Sequence, residues 1–405
     1  MTTTEAMPEV RSRQMRQLAL ATLAFAVTFW AWNLIAPLGV LYTKEFGLSS
    51  GQKALLVATP VLVGSLGRIV TGALTDRFGG RTMLTVLCFV SIAPVLLVAF
   101  AGNHDSFELL LVSAFFLGIA GTTFAVGIPF VNAWFDASRR GFATGVFGAG
   151  MGGTALSAFF TPRFVKWFGY TQTYVIMACA LAVVGFLIWS MVRESPRWSP
   201  NRSAVVPKLK AALKLPVTWA MSFLYAVCFG GFVAFSTYLP TYLKDVYGFN
   251  LTEAGTRTAG FALAAVIARP IGGVLSDRWH PRPVVLTSLA GAAVMALVIA
   301  TQPAPELAAG AAFVVMAFLL GIGTGGVFAW VALRSPADRV GTVAGIVGAA
   351  GGLGGFFPPL VMGATYNEAD GSYTIGLLLL AVTAAATLVF VSLRLPREKR
   401  DLSPA

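Results

Sequence analysis

The chain has 405 residues, of which 57% are hydrophobic and 11% charged, with 43 glycines. A soluble domain carries roughly 25% charged and 45–50% apolar residues, so a soluble enzyme, a disordered chain, a coiled coil and a disulfide scaffold are excluded. The net charge of +12, from 29 Lys and Arg against 17 Asp and Glu, fits the cytoplasmic loops of a membrane protein better than a nucleic-acid surface.

A helix of ~20 apolar residues spans a bilayer core of ~30 Å. Twelve such runs follow one another, at 18–43, 51–75, 82–101, 107–134, 141–162, 172–192, 217–243, 254–276, 283–301, 307–332, 341–364 and 373–393. They predict an all-α membrane protein with twelve transmembrane helices. Arg11, Arg13 and Arg16 precede the first run, as in a signal peptide. That run is too long for a signal core of 7–15 residues and lacks a clear cleavage site, so it reads as a permanent span.

With the N-terminus in the cytoplasm, the cytoplasmic segments carry 21 Lys and Arg. The external loops carry six: Lys44, Lys53, Arg163, Lys166, Lys244 and Arg257. This bias predicts both termini inside. His104 and His280 fall in connections, while Cys88, Cys179 and Cys228 lie in apolar runs at no metal or redox spacing. No disulfide, metal or cofactor is expected. The connection at 193–216 is basic and broken by Pro196, Pro200, Pro207 and Pro216. Its stretch 206–214 reads as a solvated linker or a short interfacial helix.

The chain is also a tandem repeat. Gly72-x-Leu74-x-Asp76-Arg77-x3-Arg81 recurs as Gly273-x-Leu275-x-Asp277-Arg278-x3-Arg282, 201 residues later. Leu117-Gly118-Ile119 returns as Leu320-Gly321-Ile322, and Arg139-x-Gly141-x3-Gly145 as Arg339-x-Gly341-x3-Gly345. The units are 1–192, the linker 193–216, and 217–405. In the repeated motif, Gly72 and Gly273 would let a neighbouring helix approach. Asp76 and Asp277 end their spans where a carboxylate can meet an arginine or a helix N-terminus.

Two arginines, Arg68 and Arg269, lie within spans and share the 201-residue offset. Each is eight residues from its motif aspartate, ~12 Å along a helix, which places it near the midplane of the bilayer. A central arginine is unfavourable by at least ~2.5–3.5 kcal/mol. No acidic residue is expected deep in a span, and snorkelling would have to bridge ~12 Å. A mobile anion is the economical partner, and the planar guanidinium suits small oxyanions.

Glycines form a second constellation. Gly141, Gly145, Gly148 and Gly152 are spaced 4, 3, 4, and Gly341, Gly345, Gly348, Gly352 and Gly355 are spaced 4, 3, 4, 3. Such stripes keep glycine on one helix face and let backbones touch.

Twelve spans in two halves, with the G-x-L-x-D-R-x3-R motif after spans 2 and 8, resemble the major facilitator superfamily. The resemblance covers nearly the whole chain. It implies two six-helix halves around a central site that opens alternately to each side. It also implies that Asp76, Arg77, Arg81, Asp277, Arg278 and Arg282, with Arg139 and Arg339, latch the cytoplasmic side in the outward-facing state. The glycine runs 148–154 and 345–356 are similar to the two signature motifs of the nitrate/nitrite porter family. Met151 departs from that pattern, standing where the family has a substrate-contacting asparagine. By the same resemblance, Arg68 and Arg269 bind the anion and Tyr225 and Phe229 contact it. Phe124 and Phe328 sandwich it. Asn33 is a further pore candidate.

The expectation is a secondary transporter of a small inorganic oxyanion, nitrate or nitrite first, working as a single chain in the inner membrane and binding no nucleic acid. Exchange is favoured over proton symport, because no Asp, Glu or His is expected near the midplane. The rivals are an organic-anion facilitator of the same fold, moving a small carboxylate, and a non-transporting membrane sensor or scaffold. No G-x4-G-K-[ST] loop occurs, which disfavours primary pumping.

Overall fold

The structure is a computed structural model that describes residues 3–104, 106–136, 139–200, 205–336, 339–367 and 369–395. Linker residues 201–204 and the basic tail beyond Leu395 lie outside these. The first run comprises α1 (Thr3–Trp32), a 3-10 turn (Ala36–Leu38) and α2 (Gly39–Phe46). Then come α3 (Ser50–Phe78), α4 (Gly80–Val90) with α5 (Ile92–Gly102), and α6 (Phe107–Leu117), which a 3-10 turn joins to α7 (Thr123–Trp134). α8 (Arg140–Gly148), a 3-10 turn (Ala149–Gly152) and α9 (Gly153–Phe168) precede α10 (Tyr170–Met191). The connection holds a short helix, α11 (Val205–Leu213). The second half contributes α12 (Pro216–Tyr247), α13 (Leu251–Trp279), α14 (Pro281–Ala300), α15 (Leu307–Arg334), α16 (Val340–Ala364) and α17 (Thr374–Arg394).

Among the described residues, 11 of these runs are long and apolar enough to cross a membrane. The expected run at 141–162 is not one of them. It is helical, but Gly148, Gly150, Gly152 and Gly153 surround its 3-10 turn, and glycine weakens a helix interior. Large apolar side chains face outward, with Phe186 59% and Val382 63% exposed, as a lipid-facing surface requires.

Other breaks have local causes. Pro37 cannot donate to the carbonyl of Asn33, and its ring crowds that group. The freed carbonyl accepts a hydrogen bond from Ser157 Oγ of α9 at 3.0 Å. Pro94 separates α4 from α5 in the same way. The duplication is visible in the backbone too. Gly47 (φ 62) and Gly248 (φ 69) close α2 and α12 in the left-handed region. Ser49 and Asn250 then open α3 and α13 with matching capping boxes. Within the repeated motif, Gly79 turns the chain at φ 87 and His280 does so at φ 126, a conformation that suits glycine better than histidine.

The halves meet mainly through α3 on α16 and α9 on α13. At the end of the bundle away from the termini they touch closely. A Cβ on Gly255 would lie 2.3 Å from the Ala158 carbonyl oxygen, and one on Gly363 would lie 2.5 Å from the Ala54 Cβ. Arg163 of α9 donates to Thr256 Oγ1 of α13 at 2.9 Å. Here the reading of Lys53 as an external-loop residue is corrected. It lies inside α3, is 4% exposed, and pairs with Asp245 of α12 at 2.7 Å.

Toward the end that carries the termini the halves part. A Cβ on Gly145, Gly148, Gly341 or Gly345 would meet nothing within 4 Å, although Gly348 and Gly352 on the same face of α16 touch the first half. A crevice therefore opens at that end. The expected packing of the stripe is corrected accordingly: a Cβ on Gly145, Gly148, Gly152, Gly341 or Gly345 would meet nothing, and so would one on Gly72 or Gly273, although the Gly273 nitrogen lies 2.8 Å from where a Cβ on Gly325 of α15 would stand. In the stripes, contact occurs only at Gly348, Gly352 and Gly355. The tight contacts near span 5 are instead made by Gly150 against Phe25 and Gly153 against the Ala26 carbonyl. Both faces of that run carry glycine, and the stripe is the face that lines the crevice. Gly141 lies in α8, and its surroundings are outside the description.

The crevice predicts a labelling pattern. In a chain with Cys88, Cys179 and Cys228 replaced, Gly345→Cys reacts with a water-soluble maleimide and Ala158→Cys does not. An unreactive Gly345→Cys contradicts the opening.

Candidate functional site

Arg68 and Arg269 lie where α3 and α13 pass the seam between the halves. Arg68 is 3% exposed. Its Nη1–H donates to the Gly348 carbonyl of α16 at 2.9 Å, and its Nε–H to the Gly121 carbonyl at 3.4 Å. Arg269 reaches the other way: Nη1 lies against Met151 Sδ, and Nη2–H donates to Tyr225 Oη at 3.4 Å. Each arginine thus contacts the opposite half. Neither takes part in a salt bridge between described residues.

One ring joins them. The Phe124 centroid lies 5.2 Å from the Arg68 guanidinium carbon and 5.5 Å from that of Arg269. Phe229 faces Arg68 at 5.7 Å and Phe328 faces Arg269 at 5.6 Å. These are cation–π distances. Tyr225 and Phe229 stack in parallel at 4.9 Å, and Phe328 meets Tyr225 edge-on at 4.8 Å. All the expected arginines and aromatics, with Met151, therefore converge. Asn33 lies apart, on the side away from the crevice. Its Nδ2 is 3.5 Å from the Thr154 carbonyl, and its Oδ1 is buried without a partner.

The local sequence explains how α16 approaches so closely. A Cβ on Gly351 would lie 2.0 Å from the Tyr225 ring, and one on Gly352 would lie 2.2 Å from Ser65 Oγ and 3.4 Å from Arg68 Nη1. On α15, a Cβ on Gly325 would lie 2.1 Å from the Arg269 carbonyl oxygen. The glycines are where an arginine or aromatic from another helix must come within contact distance.

Of the expected latch residues, Arg81 and Arg282 bond within their own halves. Arg81 Nη2–H donates to the Trp189 carbonyl at 2.7 Å. Arg282 donates to the carbonyls of Leu395 (2.7 Å) and Ser392 (3.0 Å). Each thus neutralises the C-terminal end of the last long helix of its own half. Arg77 lies over Phe78 at 5.4 Å, and Arg139 lies 5.8 Å from both Phe135 and Phe142. Asp76 and Arg278 are exposed at the open end; Asp277 and Arg339 interact within the described structure.

Sequence reasoning missed Glu194, whose Oε1 accepts the Arg81 backbone N–H at 2.6 Å. Burial raises its carboxyl above the usual carboxylate range, although the Arg81 and Gly80 N–H groups act against that. It also missed Ser65, which the three-residue spacing to Arg68 could have suggested. The carbonyls of Gly121 and Gly348 leave no side-chain signal in the sequence.

The glycine geometry generates a test. Gly351→Ala drives a methyl into the Tyr225 ring and destabilises the fold by about 1–3 kcal/mol. Gly348→Ala, whose Cβ would sit 3.6 Å from Phe124, is tolerated. Thermal unfolding of the two variants distinguishes them, and equal stabilities contradict the assigned packing.

Comparison with known proteins agrees with this architecture. The family profile described as Major Facilitator Superfamily matches residues 21–359 and 247–405. A Mycobacterium tuberculosis protein named "Probable nitrate/nitrite transporter NarK2" is 60% identical over 380 residues, covering 94% of this chain and 96% of that protein. A Bacillus subtilis "Nitrite extrusion protein" is 36% identical, covering 94% of each. A Thermus thermophilus "Probable nitrate/nitrite antiporter NarK1" is 37% identical over 86% of this chain and 85% of that one. A solved bacterial homolog of the human lysosomal transporter Spinster, in an inward-facing and occupied conformation, shares the fold. Its TM-score is 0.67 at 20% identity, over 93% of this chain and 94% of that one. The chain belongs to the major facilitator superfamily and, within it, to the nitrate/nitrite porter family: it is a multi-pass inner-membrane transporter and not an enzyme.

Proposed function

We propose that the chain transports nitrate and nitrite by alternating access, with the anion held between Arg68 and Arg269. The observation that carries this reading is the shared Phe124 ring, 5.2 and 5.5 Å from two guanidiniums that take part in no salt bridge between described residues. A planar oxyanion supplies the missing negative charge, lies flat on an aromatic face, and accepts the forked N–H groups. Tyr225 donates a further hydrogen bond, while Phe229, Phe124 and Phe328 limit size and thickness. The names of the relatives support the same substrates.

In this reading the chain crosses the membrane twelve times, in units 1–192 and 217–405. The glycine-broken run α8–α9 serves as the fifth span. Both termini are cytoplasmic, so the crevice opens inward. The motif residues at that end latch it when the crevice closes, and one chain suffices. A small carboxylate is the second reading, favoured by Met151: a thioether cannot donate the hydrogen bond that an asparagine amide would offer. Competition by formate against labelled nitrate in the same vesicles separates the two.

The binding test is direct. Arg68→Ala and Arg269→Ala each weaken nitrate binding by about 2–5 kcal/mol while leaving a folded, inserted protein. Arg→Lys also fails substantially, because an ammonium lacks the fork. Wild-type affinity in both alanine variants contradicts the proposal.

Exchange follows from the same charges. With the site empty, two guanidiniums repel each other in a low-dielectric seam, which disfavours closing the crevice, whereas a bound anion relieves the repulsion. Proteoliposomes given an inward proton gradient and no internal anion therefore take up nitrate only at background level until nitrate or nitrite is supplied inside. Concentrative uptake with matched proton influx, without internal anion, overturns the exchange mechanism.

A further inference from the structure

At the closed end of the bundle a buried charge is compensated only across the seam. Lys53 of α3 is 4% exposed, and its Nζ donates to Asp245 Oδ2 of α12 at 2.7 Å, with side-chain exposures of 5% and 17%. The Tyr373 hydroxyl at the foot of α17 donates to the same carboxylate oxygen, and Tyr238 Oη lies 3.3 Å from Tyr373 Oη. This salt bridge joins the two repeats, whereas the one between Arg197 and Asp136 does not.

The surroundings place the pair on the route between the arginines and the closed end. About one turn inward on α12, Thr241 Oγ1 is buried without a partner, as is Ser236 Oγ beyond it. Thr241 faces Gly39, where a Cβ would lie 3.3 Å from its Oγ1. Buried hydroxyls without partners are rare in a permanent interface; in one that opens, water satisfies them. The pair is not inherited from the duplication either. At the 201-residue offset, Lys53 corresponds to Ala254, and Asp245 corresponds to Lys44. The repeated architecture alone does not call for an ion pair here.

We infer that Lys53, Asp245 and Tyr373 form the gate that holds this end of the transporter shut, as positioning residues that set the balance between its two open states. The inference rests on the alternating-access reading above. With the seam closed, ammonium and carboxylate satisfy each other out of water. With it open, water solvates each separately. Removing one partner leaves the other buried and uncompensated only in the closed form, so single neutral variants shift the equilibrium toward opening. Tyr373 keeps the carboxylate oriented toward Lys53 and gives it a hydrogen bond that survives opening, since both belong to the second half.

The test reads distances in the substrate-free full chain. Spin labels go on Gly51→Cys and Gly310→Cys, two glycines of opposite halves at the closed end whose Cβ positions are open, in a chain with the native cysteines replaced. The parent shows one short-distance population. Lys53→Met and Asp245→Asn each add a longer one, Lys53→Arg does not, and the swap Lys53→Asp with Asp245→Lys restores the parent pattern. Should Lys53→Met fail to fold, the near-isosteric Asp245→Asn carries the test. Parent-like distances in the folded single variants overturn the gate, as does a swap that stays open. Nitrate binding in the same preparations reports separately on the arginine site: its absence from the parent chain sinks the proposed substrate and leaves the distance result standing.

Discussion

Two guanidinium groups at the seam between the halves, Arg68 buried and Arg269 half-buried, with no carboxylate bonded to either among the described residues, are the constraint on which the rest of the structure depends. Arg68 and Arg269 each carry the insertion penalty of a charge at membrane depth. Their neighbours answer that penalty only in part. Two backbone carbonyls accept from Arg68, a tyrosine hydroxyl accepts from Arg269, and three phenylalanine faces surround the pair. These are dipoles and quadrupoles, and they leave the net positive charge of the site in place. In the proposed function, the transported anion supplies the rest.

The same two residues connect chemistry to motion. Arg68 belongs to the first half and bonds α16 of the second, while Arg269 belongs to the second and lies against Met151 of the first. In the proposed function, an anion drawn between them pulls on both halves at once. Glycine makes such a seam workable, since Gly351, Gly352 and Gly325 bring backbone and ring into contact where any side chain would collide. The unpacked glycines along the crevice, Gly145, Gly341 and Gly345, leave smooth faces for the opposite closure. Packing is thus tight at one end, dense at the site and open at the other, the asymmetry that the proposed alternating access requires of any single state.

Much of this was legible in the sequence. The repeated offsets, the midplane depth of Arg68 and Arg269, and the family-like aromatics all pointed to residues that the structure brings together. Azimuth was not legible. The run 148–153 carries glycine on two faces, and spacing alone does not say which face meets α1 and which meets the crevice. Nor does linear position reveal burial near a helix end. Lys53 stands two residues inside its predicted span and reads as a loop cation, because its partner Asp245 is 192 residues away. The break in the fifth run was hidden in the same way, since the glycines that suggested packing also weaken the helix.

The most direct test of the central claim is thermal unfolding of the purified chain against nitrate concentration, starting in a buffer whose only anion is too large for the site. If the arginines are uncompensated until an anion arrives, the unfolding temperature of the parent rises with the logarithm of nitrate concentration above its dissociation constant. The Arg68→Ala/Arg269→Ala double variant then stays flat from a baseline at least as high as the anion-free parent. A parent curve that ignores nitrate, or a double variant that rises as steeply, contradicts the account.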